Sequence, residues 1–164
     1  LTIGIIRRFE NKPWKWWGVS WNPGITAEDI AANPDLPWNW RDVSSNRNLT
    51  IEMLLGFKDK PWNWNSVSSN PGITMKDIAA NPQLPWRWEY VSNNPNLTTE
   101  FISNNPGRPW DWKNMSNNRF TRDPVVRGRL TERSKARDLE LAIYSHALHK
   151  VYPPCLALTI LEYC

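Results

Sequence analysis

The chain has 164 residues, of which 40% are hydrophobic and 22% are charged, and its formal net charge is +4 at pH 7. This length and composition suit one globular or repetitive domain and exclude an intrinsically disordered chain. Twelve tryptophans and 14 prolines against seven glycines are typical of a patterned scaffold rather than of an average enzyme domain.

Residues 1–12 match the second half of a repeat that recurs further along the chain. The segment LTIGIIRRFENK aligns with LTIEMLLGFKDK at 49–60, and both begin with Leu-Thr and carry phenylalanine at their ninth position. We therefore expect a partial unit at 1–12, so that the sequence starts inside a repeat.

A PWxW motif recurs five times from residue 13 onward without insertion or deletion. Its prolines are 24 residues apart, at Pro13, Pro37, Pro61, Pro85 and Pro109. Further columns follow in the same register: valine or methionine, then serine, then asparagine, as at Val19, Ser20 and Asn22 in the first unit. Such self-similarity is the signature of a repeat array, which here spans residues 1–118.

Each unit is interpreted as two short helices of about eight residues, joined by turns. The proline of PWxW suits the first helical position, where its missing N–H has no cost. The second helix is expected to follow a capping threonine, at Thr26, Thr50, Thr74 or Thr98. Apolar residues on both sides of that threonine, such as Ile25 and Ile30, predict a hydrophobic staple.

Helices this short do not hold together alone in water, so each unit must pack against its neighbours. We therefore predict an all-α solenoid of short helical hairpins with a 24-residue repeat. The second tryptophan of each motif is predicted to form the structural core inside its unit, at Trp16, Trp40, Trp64, Trp88 and Trp112. The first tryptophan is predicted to cross the seam to the previous unit, at Trp14, Trp38, Trp62, Trp86 and Trp110.

Two further tryptophans fall in columns that are polar elsewhere. Trp17 occupies a column whose later members are Arg41, Asn65, Glu89 and Lys113. Variable columns are expected to face solvent, so Trp17 and Trp21 are candidate partner contacts; alternatively, they cover an upstream helix. The regular tryptophans are interpreted as core rather than as stacking platforms for nucleic acid or carbohydrate.

Residues 119–164 contain no PWxW motif, and they are predicted to form a basic C-terminal helical cap. Within them, residues 119–137 hold seven basic and two acidic residues, a net charge of 7 − 2 = +5. Arg127, Arg129 and Arg133 are candidate contacts for nucleic acid or for an acidic protein surface. The alternative is a solvated helix face whose arginine stems lie over apolar rings.

The cap is expected to begin with a helix from an N-cap at Thr131 to about Lys150, where two prolines follow. Residues 155–163 suit another short apolar helix. Terminal caps of solenoids seal the last core face of the array, and we expect that role here.

No motif typical of an enzyme is present: there is no phosphate-cradling glycine loop, no G-x-S-x-G and no H-E-x-x-H. His146, His149, Cys155 and Cys164 form a Cys2His2 set, but their spacing departs from that of zinc fingers. The alternative for these residues is buried thiols and surface imidazoles. We expect no enzyme activity, no metal and no cofactor.

The distribution of cysteines and apolar residues bears on the compartment. Two cysteines close together near the C-terminus predict no disulfide framework and favour a reducing environment. The longest apolar run, at 155–161, is too short to cross a bilayer, and no leader opens the sequence. We therefore expect neither secretion nor membrane insertion. Three N-x-S/T triplets, at Asn48, Asn96 and Asn114, are interpreted as cap and turn residues rather than glycan sites.

The motif NPxLPWxWxxVSxNPxLT stands at 81–98 and, with Arg47 in place of the second proline, at 33–50. It resembles the repeats of Asn/Pro/Trp-rich proteins encoded by giant DNA viruses of amoebae and other protists. The resemblance covers residues 1–118 and supplies no catalytic residue.

That resemblance implies a virus-encoded structural or interaction protein that belongs to a larger assembly. It would bind or cement other proteins as a virion or minor capsid-associated component, located in the virion or in the cytoplasm of the infected host cell. The alternatives are an adaptor that binds host proteins, and nucleic-acid binding through residues 119–137.

Overall fold

The computed structural model describes residues 1–120 and 122–151, with the side chains of the last helix described only up to Arg137 and at Leu141. The chain divides into two compact units, Leu1–Asp123 and Pro124–Cys164. All regular elements among the described residues are helices, and their spacing repeats regularly, which confirms the predicted all-α solenoid of short hairpins.

Two alternating sets of short helices build the first unit. The first helices of the repeats are α2 (Trp16–Trp21), α4 (Trp40–Val43), α6 (Trp64–Ser69), α8 (Trp88–Val91) and α10 (Trp112–Met115). The second helices are α1 (Ile3–Arg8), α3 (Ala27–Ala32), α5 (Ile51–Gly56), α7 (Met75–Ala80) and α9 (Thr99–Ser103). Each helix has four to six residues, which is shorter than the predicted eight.

The prediction that the PWxW proline starts the first helix is wrong. Each helix starts at the second tryptophan, three residues after the proline. The proline instead centres a three-residue turn, because the N–H of the first tryptophan donates to the carbonyl two residues back, as Trp38 does to Leu36 at 2.8 Å. The fixed φ of proline matches the central residue of such a turn.

The residue between the two tryptophans is the N-cap of the first helix. The side chains of Asn39, Asn63 and Asp111 accept hydrogen bonds from N–H groups of the first turn, at 2.9 to 3.4 Å. This variable column therefore serves folding as well as facing solvent, because a helix of one turn depends strongly on its cap.

The predicted threonine caps of the second helices are confirmed. Each threonine hydroxyl accepts a hydrogen bond from the N–H three residues later, at 3.1 to 3.3 Å. The carboxylates of Asp29 and Asp77 in turn accept hydrogen bonds from the backbone N–H groups of Thr26 and Thr74, which completes two capping boxes. Ile25 and Ile30, the predicted staple, are 0% and 1% exposed.

The prediction that the second tryptophan of each motif forms the buried core is wrong, because from Trp38 onward the first tryptophan is the more deeply buried of the two. The first tryptophans Trp38, Trp62, Trp86 and Trp110 are 6 to 8% exposed, whereas Trp16, Trp40, Trp64 and Trp88 are half-buried and Trp112 is 66% exposed. Each first indole also donates Nε1–H to the carbonyl five residues earlier, as Trp86 does to Asn81 at 2.8 Å. That bond fixes the ring against the end of the preceding helix.

Aromatic pairs join successive units, as expected for rings at the seam. The second tryptophan of one unit meets the first tryptophan of the next edge to face, with centroids 5.1 to 5.5 Å apart in all four junctions. Trp112 is exposed because no PWxW motif follows it in the sequence. The rest of the core is aliphatic, with Val43, Val67 and Val91 fully buried.

The first unit extends past residue 118, the predicted end of the array. The amide of Asn118 donates to Ser92 O at 3.2 Å and to Asn94 O at 2.9 Å, repeating the bonds of earlier units. Asp123 then accepts from both the N–H and the hydroxyl of Thr99, at 2.6 and 2.9 Å.

The second unit contains one long helix, α11 (Pro124–Val151), of 28 residues. It begins seven residues before the predicted cap at Thr131, because Pro124 occupies the first helical position, where proline is favoured. The hydroxyl of Thr131 instead donates to Arg127 O inside the helix, at 2.9 Å. The short helix predicted at 155–163 lies outside the described residues.

Candidate interaction surfaces

The side chains of the recurring asparagines form hydrogen bonds inside the array. Asn46, Asn70 and Asn94 are 0 to 3% exposed, although asparagine is usually a surface residue. The amide of Asn94 donates to Ser68 O at 2.9 Å, Asn70 O at 3.1 Å and Ile73 O at 3.2 Å, all in the preceding unit. Its Oδ1 accepts from the N–H of Asn96 at 2.8 Å. The asparagine column is thus an internal ladder that joins units.

The recurring serines act in the same junctions. Each buried serine Oγ accepts the backbone N–H of the N-cap residue of the next unit, at 2.9 to 3.0 Å, in the pairs Ser20–Asn39, Ser44–Asn63, Ser68–Arg87 and Ser92–Asp111. The sequence showed the serine column, but no role was predicted for it. The strict recurrence of these serines was the available signal that they join neighbouring units.

Two of the three N-x-S/T asparagines also bond to the preceding unit. The amide of Asn48 donates to Pro23 O at 2.8 Å and Ile25 O at 2.9 Å, and Asn96 makes the equivalent pair with Pro71 O and Ile73 O. Asn48 and Asn96 therefore serve as turn residues in the fold, as their interpretation from sequence expected.

Trp17 and Trp21 form the exposed aromatic pair of the array. They lie four residues apart on α2, a spacing that places them on one helical face. They are 58% and 59% exposed, and the corresponding residues of later units are polar or charged. The two indoles are therefore not required by the repeat, and we call them the α2 tryptophan patch.

A shallow groove of about 400 Å³ adjoins the α2 tryptophan patch. It is lined by Trp21, Pro23, Ser45, Arg47 and Pro71. Arg47 and Arg119 occupy a column that otherwise carries proline. The groove thus combines an indole edge, proline rings and one guanidinium, which suits a protein segment with both apolar and acidic groups.

The predicted basic contacts do not all lie together. Arg127, Arg129 and Arg133 are exposed on α11. Arg129 and Arg133 share a face with Arg137 by helical spacing, whereas Arg127 lies about 160° around the helix from Arg129 and about 120° from Arg133, because each residue turns a helix by about 100°. Arg122 instead bonds to Pro71 O at 3.4 Å and to Asn96 Oδ1, so it belongs to the array surface.

An ion pair joins the first helix, α1, to the unit that follows it in sequence. Arg7 donates to both carboxylate oxygens of Asp35, at 3.0 and 2.8 Å, and to Asn33 Oδ1 at 2.8 Å. The hydrogen bond from Arg7 holds the pKa of Asp35 below its ordinary value. The pKa of Glu28 is also lowered, first by a hydrogen bond from its own backbone N–H and then by one from the Thr26 hydroxyl. Both shifts come from contacts that build the fold.

Metal-ligating side chains do not gather in the part of the chain that the structure describes: no group of three or more His, Cys, Asp or Glu residues could hold an ion there. The Cys2His2 set of the sequence lies outside the residues with described side chains. No described helix is long and apolar enough to span a membrane.

These contacts define the class of the chain as an α-solenoid whose units are joined by tryptophan pairs and an asparagine ladder. Comparison with protein-family models, curated proteins and solved structures found no match at any of the three levels. The candidates for a functional role are therefore the side chains that make no contact between repeat units.

Proposed function

We propose that the chain is a non-enzymatic repeat protein that binds another protein through the α2 tryptophan patch. The observation that supports this most directly is the exposure of Trp17 and Trp21, at 58% and 59%, in columns where every other unit is polar. An array that needed only to fold would place a polar residue at both positions, as the later units do.

The energetics favour this assignment of the patch. Tryptophan is among the residues most enriched at the centres of protein interfaces, where a single buried ring contributes 2 kcal/mol or more, as a rough guide. Trp17 and Trp21 gain little from the array itself. The adjoining groove, with Arg47 beside the proline rings, extends the patch across three units.

The resemblance of residues 1–118 to Asn/Pro/Trp-rich repeats supports a giant-virus source. In that setting we propose a virion or minor capsid-associated component that cements larger proteins within an assembly. An adaptor that binds host proteins in infected cytoplasm is the second candidate. The same exposed patch would serve either role.

The test is chemical cross-linking of the chain in its native source, followed by mass spectrometry. We expect cross-links from residues around Trp17 and Trp21 to one defined protein, and their loss in the Trp17→Ala, Trp21→Ala double variant. Trp112→Ala is the matched control, because Trp112 is also an exposed tryptophan of the array and should leave the cross-links intact.

The two candidate roles differ in where the chain is found. A virion component is expected in fixed ratio to the major shell protein of purified particles. An adaptor is expected in the infected cytoplasm and not in particles. Unchanged cross-links in the double variant, with unchanged thermal melting, would overturn the patch as the binding site.

A further inference from the structure

The geometry of α11 points to a second binding surface, of different chemistry from the tryptophan patch. We propose that Arg129, Arg133 and Arg137 form a row that binds the phosphate backbone of nucleic acid. The row lies in the second compact unit, so this proposal does not depend on the role proposed for Trp17 and Trp21.

The spacing of the row fits a regular polyanion. Its three arginines lie at i, i+4 and i+8, so they share one face of a continuous helix and are about 6 Å apart along its axis. Successive phosphates of a nucleic acid strand repeat on a similar scale. Arginine also offers a planar fork of donors that matches phosphate oxygens in pairs.

The three side chains are available for such a ligand. All are exposed, and none takes part in an ion pair within the described residues. Glu132 pairs with Lys135 at 3.1 Å, so among the side chains described in α11 no carboxylate forms an ion pair with the arginine row. An exposed row of charges of one sign raises the local concentration of anions.

A membrane surface fits the same helix less well. Among the described side chains of α11, the exposed large apolar residues are Val125, Leu130 and Leu141, at 54%, 54% and 51%. Val125 lies on a different face from Leu130, and about 16 Å of helix separates Leu130 from Leu141. Interfacial helices need a continuous apolar face to enter the headgroup layer, and Arg127, which lies outside the row, adds charge elsewhere on α11.

The test measures binding of the full chain to a fluorescein-labelled DNA duplex of mixed sequence, and to its single strand, over a series of salt concentrations. Three phosphate contacts give an expected slope of log K against log salt of about −2.7 for the duplex, and about −2.1 for the single strand. Replacing all three arginines by alanine should abolish the binding, and each single replacement should reduce the slope by about one.

Two matched variants give the result its meaning. Arg127→Ala removes the same charge from a position outside the row, about 120° around the helix from its middle residue Arg133, so it should leave the slope unchanged. The triple Arg→Lys variant keeps the three charges and should retain most of the slope. Comparison with the triple alanine variant then separates loss of the charged contacts from loss of the helix. Circular dichroism checks that each variant keeps its helix content.

Three outcomes would overturn the proposal. The first is no binding of either probe at low salt. The second is binding that Arg127→Ala weakens as much as the triple alanine variant does. The third is binding to vesicles containing phosphatidylserine with none to either DNA, which would assign the row to an anionic lipid surface instead.

Discussion

At the scale of single residues, the tryptophans divide into three groups by what covers them. The first tryptophan of each internal motif is enclosed, the second is half covered by the next unit, and Trp17, Trp21 and Trp112 are open to solvent. The difference arises from position in the stack rather than from residue type. The same side chain can therefore be essential in one unit and dispensable in another.

Trp86→Ala should destabilise the array by about 3–5 kcal/mol, because it opens a cavity at a junction and removes the Nε1–H bond to Asn81 O. Trp112→Ala should change stability by less than about 0.5 kcal/mol, as surface substitutions do. Urea unfolding followed by circular dichroism measures both. Equal losses for the two variants would mean that the burial order is different in solution.

The asparagine ladder makes a second residue-scale prediction. In Asn94→Asp a carboxylate replaces an amide that donates to three carbonyl oxygens, so the variant should lose at least about 3 kcal/mol. Asn93→Asp, at the exposed neighbouring position, should lose little. Matching urea midpoints for the two variants would contradict the ladder.

Residue-scale features were only partly predictable from sequence. The capping threonines were found because an N-cap depends on a few adjacent residues, all visible in the sequence. The burial order of the tryptophans was missed because it depends on which carbonyl of the preceding helix each indole reaches. The ladder was missed because an asparagine at position 94 also suits a local turn. Nothing near it in the sequence shows that its amide donates to carbonyl oxygens of the preceding unit.

At the scale of elements, the turn between the two helices of a unit contacts the preceding unit in one of two ways, which alternate along the array. Asn48 and Asn96 bond across the junction through their side chains, whereas Gly24 and Gly72 lie where the preceding unit approaches closely. A Cβ added at Gly72 would be 2.1 Å from Leu49 O, a backbone atom that cannot move aside. In this column glycine and asparagine therefore each recur every 48 residues, at Gly24 and Gly72 and at Asn48 and Asn96.

Gly72→Ala should therefore destabilise the array by about 1–3 kcal/mol or more, as overpacking does. Gly18→Ala is the matched control, because nothing lies within 4 Å of a Cβ at that helical position. There alanine should stabilise the protein by about 0.5–1 kcal/mol. A Gly72→Ala variant with native melting temperature would show that the junction is looser than the contact implies.

The docking of α1 should depend on pH through Asp35. Its pKa is lower in the folded protein than in the unfolded chain, so the pair with Arg7 stabilises the fold above the unfolded pKa. That contribution is lost as the pH falls through the folded pKa. Asp35→Asn should remove this acid-sensitive part, so the melting temperatures of the two proteins should converge in acid. A constant difference at every pH would exclude the ion pair as its cause.

At the scale of the whole molecule, the chain combines a repeat array with a helix of different character. The periodic residues of the array make contacts between units. The α2 tryptophan patch and its groove are not part of that periodic pattern, and their side chains are exposed. The long helix α11 carries an exposed row of arginines. The array was predictable because repetition makes weak local signals agree; the start of α11 was not, because Pro124 and Thr131 both suit the beginning of a helix.

The central claim is that the first tryptophan of each internal motif is enclosed at a junction between units, whereas Trp17, Trp21 and Trp112 are open to solvent. Hydroxyl-radical footprinting with mass spectrometry measures this directly, since oxidation of each indole reports its access to solvent. We expect fast oxidation at Trp17, Trp21 and Trp112, and strong protection of the first tryptophan of every internal motif. Oxidation of Trp62 and Trp86 as fast as that of Trp17 would contradict the account.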